Sequence, residues 1–185
     1  MLYRRRAAGP VQERAVPLLD VMNGLELTIN DPADMKRLGR LLSGSLSAGD
    51  VVALNGPLGA GKSVLARAVI QTLCPAEDDI PSPTFTLVQT YEPDSEVPLM
   101  HFDLYRLDAP EDALELGIED AFADAICLIE WASRLGPLLP WQALRLSIEP
   151  ESAEAGPDRR NVSMSGGARW QPVFAALREA FAAPS

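Results

Sequence analysis

The chain has 185 residues, 47% of them hydrophobic, and its 26 acidic against 16 basic residues give a net charge of −10. This length suits one domain with a substantial core. No window of the sequence approaches the roughly 18 consecutive apolar residues of a membrane span, so we expect no membrane partner. A protein that grips nucleic acid by its phosphates needs a basic face. Because the isoelectric point is near 4.5, we expect any role connected with nucleic acid to be exercised through another protein.

The first residues predict a disordered N-terminal extension rather than part of the fold. Residues 1–22 contain an arginine run, a glycine and two prolines, and no apolar segment follows the basic start as in a secretory signal. An alternative is that translation begins at Met22. We predict a single domain over residues 23–185. Cys74 and Cys127 lie in apolar surroundings without metal-ligand spacing, which is typical of core residues in a reducing compartment, and we expect a cytoplasmic protein.

The first elements are predicted to be a strand, a helix and a second strand. Residues 25–29 alternate apolar and polar side chains, which predicts a strand. Asp31 followed by Pro32 is typical of the N-cap and first position of a helix. Residues 50–55 form a short apolar run and predict a buried strand. The apolar face of the intervening helix is predicted to contain Met35, Leu38, Leu41, Leu42 and Leu46.

Residues 56–63 fit the phosphate-binding pattern G-x-x-x-x-G-K-[ST] at every required position, and helical periodicity follows over residues 62–73. Glycines let backbone N–H groups approach phosphates closely, the lysine supplies a cation, and the serine hydroxyl is a hard oxygen suited to Mg²⁺. The alternative is a glycine-rich turn before a core helix. The strand, loop and helix context favours nucleotide binding. The residues predicted to bind the nucleotide here are Gly56, Gly59, Ala60, Gly61, Lys62, Ser63 and Val64.

The second half of the chain predicts a sheet that is not wholly parallel. Residues 84–91 and 97–102 are two β-type runs whose connection is too short for a crossover helix, so they should pair antiparallel. Residues 125–129 are the most hydrophobic five-residue run and predict a central parallel strand covered on both faces. Further predicted elements are short helices at 110–117 and 120–123, late strands at 144–148 and 161–164, and a closing helix at 170–181.

Two acidic residues directly follow apolar runs. A phosphate loop needs a second Mg²⁺ ligand, usually an acid at the end of a neighbouring strand, and Asp103 and Glu130 both qualify. Ligands of open α/β sheets bind beyond the carboxyl ends of the strands, where both acids would lie if their strands run parallel to the one before Gly56. The alternative for each is a solvated residue at a strand end.

Five other side chains admit two interpretations each. Ser82 and Thr84 lie where other phosphate-loop proteins keep a switch that senses the γ-phosphate, or they are ordinary hydroxyls of a rigid Pro-x-Pro turn. His101 is more often a structural residue in such a strand than a base. Arg106 is either a charge-stabilising finger or part of a surface ion pair. Trp131 fits core packing better than stacking on a nucleotide.

With these residues laid out, the chain resembles the TsaE family, the small ATPases of bacterial tRNA threonylcarbamoyladenosine synthesis. The resemblance spans residues 25–164 and rests on four blocks in order: residues 56–63, 82–88, 101–107 and 129–131. The phosphate loop alone is shared by very many proteins, whereas the other three blocks in this order and spacing are specific.

The resemblance implies an α/β, P-loop NTPase-like three-layer fold with a mixed, mainly parallel central sheet and an antiparallel hairpin. It implies ATP and Mg²⁺ as ligands and slow, partner-regulated hydrolysis. By the same resemblance Lys62 and Ser63 hold phosphates and metal, Asp103 and Glu130 serve the metal and its water, and Thr84 acts in a switch-like loop.

The resemblance also implies partners: the TsaD and TsaB proteins, which install the modification on adenosine 37 of tRNAs that read codons beginning with A. The tRNA would be contacted only indirectly. Adenine contacts of the family lie near the first helix, which points to Asn30 or Asp31. Two residues depart from the family pattern: Pro57 stands where a polar or acidic residue is usual, and Ser63 replaces the usual threonine. Serine keeps the hydroxyl, whereas proline removes one backbone donor.

Two alternatives to a regulated ATPase stay open. A small-molecule kinase needs an arginine-bearing lid, for which Arg159 and Arg160 are the candidates. A nucleotide-dependent adaptor would bind ATP without significant turnover. A GTPase is disfavoured, because the sequence has no N-K-x-D motif for guanine.

Overall fold

The computed structural model describes residues 24–152 and 156–182. The predicted extension at residues 1–22 lies outside this part, so the boundary of the predicted domain stays a prediction. The strands of the described residues are β1 (Leu25–Ile29), β2 (Val51–Asn55), β3 (Val88–Tyr91), β4 (Leu99–Asp103), β5 (Ile126–Glu130), β6 (Leu144–Pro150) and β7 (Arg160–Ser165). The α-helices are α1 (Pro32–Ser43), α2 (Lys62–Leu73), α3 (Ile118–Asp124) and α4 (Gln171–Ala182).

All these strands lie in one sheet of order β1-β7-β6-β2-β5-β4-β3. The four central strands, β6, β2, β5 and β4, pair parallel. Antiparallel pairs extend the sheet at both edges, with β3 beside β4 and with β7 and β1 beyond β6. The predicted mixed sheet with an antiparallel hairpin is therefore confirmed.

Helices cover both faces of the sheet and give three layers. On one face α1, α2 and α4 pack over a core that includes Leu38, Leu65 and Phe174. On the other face, α3 and two short 3₁₀ helices, Pro110–Leu116 and Ala132–Leu138, enclose a second core. The strand β5 lies between β2 and β4 with all five residues buried, as its unbroken apolar run predicts.

Local sequence signals place α1 as predicted. The Asp31 carboxylate accepts hydrogen bonds from the backbone N–H groups of Ala33 and Asp34, so it caps the helix. Leu41 is the exception on the predicted apolar face: its side chain is 41% exposed, because the buried positions follow Met35, Leu38 and Leu42 around the helix.

The hairpin strand β3 is shorter than the predicted run over residues 84–91. Residues 84–87 form a turn instead, closed by a 2.6 Å hydrogen bond from the Leu87 N–H to the Pro83 carbonyl. Leu87 adopts a φ of 66°, which no extended strand allows. The side chains that predict a strand over residues 84–87 therefore belong to a turn, and it is this turn, not a strand, that lies next to the end of β4.

Both cysteines are buried and free, as predicted for core residues. Burial raises the pKa of the Cys127 thiol to about 12. Within residues 24–152 and 156–182, no helix is both long enough and apolar enough to cross a membrane.

Candidate nucleotide-binding site

The phosphate loop connects the carboxyl end of β2 to the first turn of α2. Gly56 has a φ of 140°, and a Cβ at this position would lie 2.2 Å from the Ile148 carbonyl oxygen of β6. Only glycine fits this approach of loop to strand. Gly61, at a φ of 112°, precedes the first helical residue, Lys62. The loop therefore points the N-terminus of α2 at the space above the sheet, where free N–H donors and the helix dipole favour an anion.

Lys62 is folded back onto its own loop. Its Nζ donates hydrogen bonds of 2.8 Å to the Gly56 and Pro57 carbonyls and lies 3.9 Å from the centre of the Trp131 ring. Burial lowers the pKa of Lys62, and the negative charges of Glu130 and Asp103 oppose that shift. The ammonium group is thus held between the loop and two acids, within the region that a bound phosphate would use.

The two predicted acids meet at the same edge of the sheet. Asp103 and Glu130 are direct partners in the parallel pairing of β4 with β5, and each is at least 96% buried. The Ser63 hydroxyl donates a 2.8 Å hydrogen bond to Glu130 Oε2. The structure therefore brings the loop hydroxyl and both carboxylates together, and these hard oxygens are ligands that Mg²⁺ prefers. Neither acid is the solvated strand-end residue of the alternative interpretation.

His101 orients Glu130. Its Nε2 lies 2.9 Å from Glu130 Oε1, and the ring is fully buried. Nδ1 has no hydrogen-bond partner within the described residues. A buried N–H without an acceptor is costly, so the geometry favours the tautomer in which Nε2 carries the proton and donates it to Glu130. This contact ties the buried His101 ring to an acid of the site.

Asp103 is tied to the segment after α2. Thr84 Oγ1 donates a 2.7 Å hydrogen bond to Asp103 Oδ2, and Ser82 Oγ lies 2.9 Å from the same threonine oxygen. The Tyr105 N–H binds the other carboxylate oxygen at 3.1 Å. Both hydroxyls of the predicted switch segment therefore belong to one chain of hydrogen bonds that ends on an acid of the site.

A cavity of about 280 Å³ lies between the loop and the two acids, and its lining includes two aromatic side chains, Tyr105 and Trp131. Trp131 lines it and packs against Tyr105 with ring centres 4.9 Å apart, so its contacts are with Lys62 and Tyr105. Arg106 lies over the Phe85 ring at 4.8 Å, and no ion pair of this arginine is present among the described residues. Phe85 is itself 82% exposed.

A second cavity, of about 210 Å³, lies on the other side of the loop and is lined by Asp31, Met35, Val64 and Arg160 among others. Asn30 is not among its lining residues: its side-chain amide donates to the Asp34 carboxylate at 2.9 Å. The predicted adenine contact of Asn30 stays a prediction.

Arg160, which the sequence offered only as a candidate for a kinase lid, contacts the phosphate loop instead. From β7 its Nε donates to the Ala60 carbonyl at 3.1 Å, and Nη1 donates to the Pro157 carbonyl at 2.6 Å. The neighbouring Arg159 pairs with Glu151 at 3.1 Å. The two arginines considered for a kinase lid are thus both engaged, one of them on the phosphate loop. No local signal in the sequence identifies this contact, because it depends on how β7 and β6 pair.

Comparisons with known proteins agree with this architecture. The family model "Threonylcarbamoyl adenosine biosynthesis protein TsaE" matches residues 29–162. A tRNA threonylcarbamoyladenosine biosynthesis protein TsaE from Rickettsia felis is 42% identical over 123 residues, covering 66% of this chain and 71% of that protein. The protein of the same name from Bacillus subtilis is 32% identical over 139 residues, covering 75% and 82%.

A solved structure shares the fold. The crystal structure of YdiB from Bacillus subtilis superposes with a TM-score of 0.67 at 28% identity, covering 85% of this chain and 95% of that one. The matched family segment contains the phosphate loop, Thr84, Asp103 and Glu130. On the family match, the identity to these relatives and the shared architecture, this chain belongs to the TsaE family.

Proposed function

We propose that this protein binds ATP with Mg²⁺ on the phosphate loop, hydrolyses it, and thereby serves the formation of threonylcarbamoyladenosine in tRNA. The observation that carries the proposal is the hydrogen bond between Ser63 and Glu130. It joins the hydroxyl of the loop to a buried carboxylate from a neighbouring parallel strand, which is the arrangement that a metal-bound triphosphate needs.

The residues present fit ATP and Mg²⁺. The loop approaches β6 too closely for any side chain at Gly56. Because this position has no Cβ, no side chain separates the loop backbone there from a phosphate. No group of three His, Cys, Asp or Glu side chains among the described residues is arranged to hold a metal by itself. The metal would therefore be held by Ser63, Glu130 and Asp103 together with phosphate and water oxygens, as is usual for Mg²⁺. When bound, it would neutralise the charge that develops on the transferred phosphoryl group.

Lys62, Glu130 and Thr84 would then each have a separate role in binding and hydrolysing ATP. Lys62 would exchange the carbonyls of Gly56 and Pro57 for phosphate oxygens. Glu130, oriented by His101, would hold or activate a water at the metal. Thr84 would sense the γ-phosphate, because its hydrogen bond to Asp103 would differ between the states with and without that phosphate.

We place the base of ATP in the cavity on the far side of the loop. Its lining combines an apolar side chain, Met35, with the polar groups of Asp31 and Arg160, a composition suited to a planar, hydrogen-bonding base. Asn30 is the adjacent candidate from the sequence. This position keeps the base away from the acids at the carboxyl ends of β4 and β5.

A role in tRNA modification is supported by the names of the relatives, and the manner of that role by the net charge of this chain. Relatives in the family carry the name of threonylcarbamoyladenosine biosynthesis. A net charge of −10 disfavours direct binding of tRNA. We therefore propose that the protein acts through TsaD and TsaB. Two exposed side chains offer apolar contacts for such a partner: Leu58, which lines the cavity between the loop and the acids, is 85% accessible, and Phe85, next to Thr84 in the chain, is 82% accessible.

The test is ATP turnover measured with and without TsaD and TsaB. We expect weak turnover by the protein alone, stimulation by the two partners, and loss of turnover in Lys62→Ala and Glu130→Gln. Glu179→Gln is the matched control, because Glu179 is an exposed acid on α4. Full turnover in Glu130→Gln would remove that acid from the mechanism. Transfer of phosphate to a metabolite would favour the kinase, and binding without turnover under all conditions would favour the adaptor.

A further inference from the structure

A groove of about 530 Å³ runs along the outer surface between α1 and α2. It shares Pro32 and Val64 with the cavity in which we place the base of ATP, but neither Asp103 nor Glu130 lines it. Lys36 and Arg40 line it from α1, and Arg67 and Gln71 line it from α2. Each pair is four residues apart, so each presents its side chains on one helical face. The groove therefore has two polar edges that run along the helices.

The charge of the groove is opposite to that of the molecule. Three of its lining residues, Lys36, Arg40 and Arg67, are cationic and none is acidic, although the chain carries 26 acidic against 16 basic residues. Within the described part of the chain, the Lys36 and Arg40 side chains make no ion pair, and Arg67 binds only the Ile80 carbonyl, at 2.9 Å. No ion pair among the described residues therefore neutralises these three cations.

The floor of the groove is apolar and fixed. Val64 and Ala68 of α2 lie between the polar edges. A Cβ at Gly39 would lie 2.7 Å from the Ala68 Cβ, so the two helices approach as closely as glycine allows. Such contact leaves little freedom for the helices to shift, and the groove is preformed.

We propose that this groove binds an acidic segment of a partner protein, one in which acidic side chains flank a small apolar one. The acids would meet Lys36, Arg40 and Arg67, and the apolar side chain would rest on Val64 and Ala68. A nucleic acid fits less well, because it carries a charge at every nucleotide, and the charges beyond the three cations of the groove would meet a strongly acidic surface, whereas a protein segment can carry as few acids as the groove has cations. Residues 1–23 carry four arginines and two acids, a composition opposite to that of the proposed segment.

The experiment uses the full chain without nucleotide, so that its outcome does not depend on the proposed ATPase. A short fluorescein-labelled peptide of repeating Glu-Leu units is titrated by fluorescence anisotropy at low and high salt. We expect saturable binding that weakens as salt rises and a dissociation constant at least about tenfold larger for the double variant Lys36→Gln, Arg40→Gln, whose net charge changes by as much as that of Arg178→Glu. Arg178→Glu, an exposed charge reversal on α4, is the matched control and should change affinity less than about twofold.

Several results would overturn the proposal. Equal loss in the double variant and in Arg178→Glu would mean that only net charge matters. Equally tight binding of a repeating Gln-Leu peptide would remove the role of the acids. Tighter binding of a single-stranded oligonucleotide with the same number of charges would make the groove a nucleic-acid site. Self-association in sedimentation velocity that requires Lys36 and Arg40 would make the occupant a second copy of this chain.

Discussion

Gly56→Ala is the substitution whose effect follows most directly from the structure. The new Cβ would lie 2.2 Å from the Ile148 carbonyl oxygen, where ordinary contact begins at 3.4 Å. One of the two backbones must therefore move by about 1.2 Å. Ile148 cannot yield easily, because β6 is paired on both sides, with β2 and with β7.

The cost has two parts. A φ of 140° is a conformation that an alanine adopts only with strain of about 1–3 kcal/mol. Displacing the strand weakens one or two sheet hydrogen bonds, at about 1 kcal/mol each. We expect a destabilisation of about 2–5 kcal/mol, which for a domain of this size lowers the melting temperature by on the order of 10 °C.

Gly59→Ala is the control in the same loop. Gly59 also has a positive φ, of 76°, but an added Cβ would meet no atom within 4 Å. It should cost only the conformational strain, about 1–2 kcal/mol, and shift the melting temperature by a few degrees. Differential scanning fluorimetry on both purified variants measures the difference. If both variants melt at the same temperature, the close approach to Ile148 does not limit this position and the reasoning fails.

Three further predictions concern single side chains. Arg160→Ala removes a donor from the phosphate loop and should raise the dissociation constant for ATP about tenfold with little change in melting temperature, whereas Arg159→Ala should not; calorimetric titration distinguishes them. His101→Leu should lower turnover about tenfold or more and shift its Mg²⁺ dependence, because Glu130 loses its hydrogen-bond donor. His101→Gln should restore part of the turnover and part of the Mg²⁺ dependence. An unchanged Mg²⁺ dependence in His101→Leu would refute the positioning role. The Cys127 thiol ionises at about pH 9 when unfolded but at about pH 12 when folded. Unfolding therefore releases a proton between those values, and stability should fall with rising pH across that window by on the order of 4 kcal/mol in total. Cys127→Ala should flatten this part of the denaturant-midpoint profile, and an identical profile in the variant would contradict the assignment.

The parts of the fold that sequence predicts are those with local signals. The cap at Asp31 and the helix after Gly61 depend on residues a few positions apart, so their bounds agree with the structure. The meeting of Asp103 and Glu130 was also predictable, because the carboxyl ends of parallel strands share an edge of the sheet.

The parts that escaped prediction depend on pairing between distant segments. His101 is opposite Leu128 in the strand register, and it reaches Glu130 only diagonally. Arg160 reaches the phosphate loop only because β7 folds back along β6. The composition of residues 84–87 predicts a strand, but these residues form a turn in which Thr84 donates a hydrogen bond to the distant Asp103. The periodicity of hydrophobic residues along the chain carries no information about such long-range contacts.

The register of the central parallel strands also has a consequence for how the protein folds. Ser63 and Glu130 are 67 positions apart in the chain, yet their hydrogen bond lies at the centre of the site. Closing so long a loop is slow and costs entropy before any contact rewards it. The pocket therefore cannot exist in a partly folded chain that has formed only its local helices and the hairpin. Acquisition of ATP affinity during refolding should therefore follow the formation of the local helices and the hairpin, and nucleotide added to a refolding mixture would stabilise the folded molecules relative to intermediates.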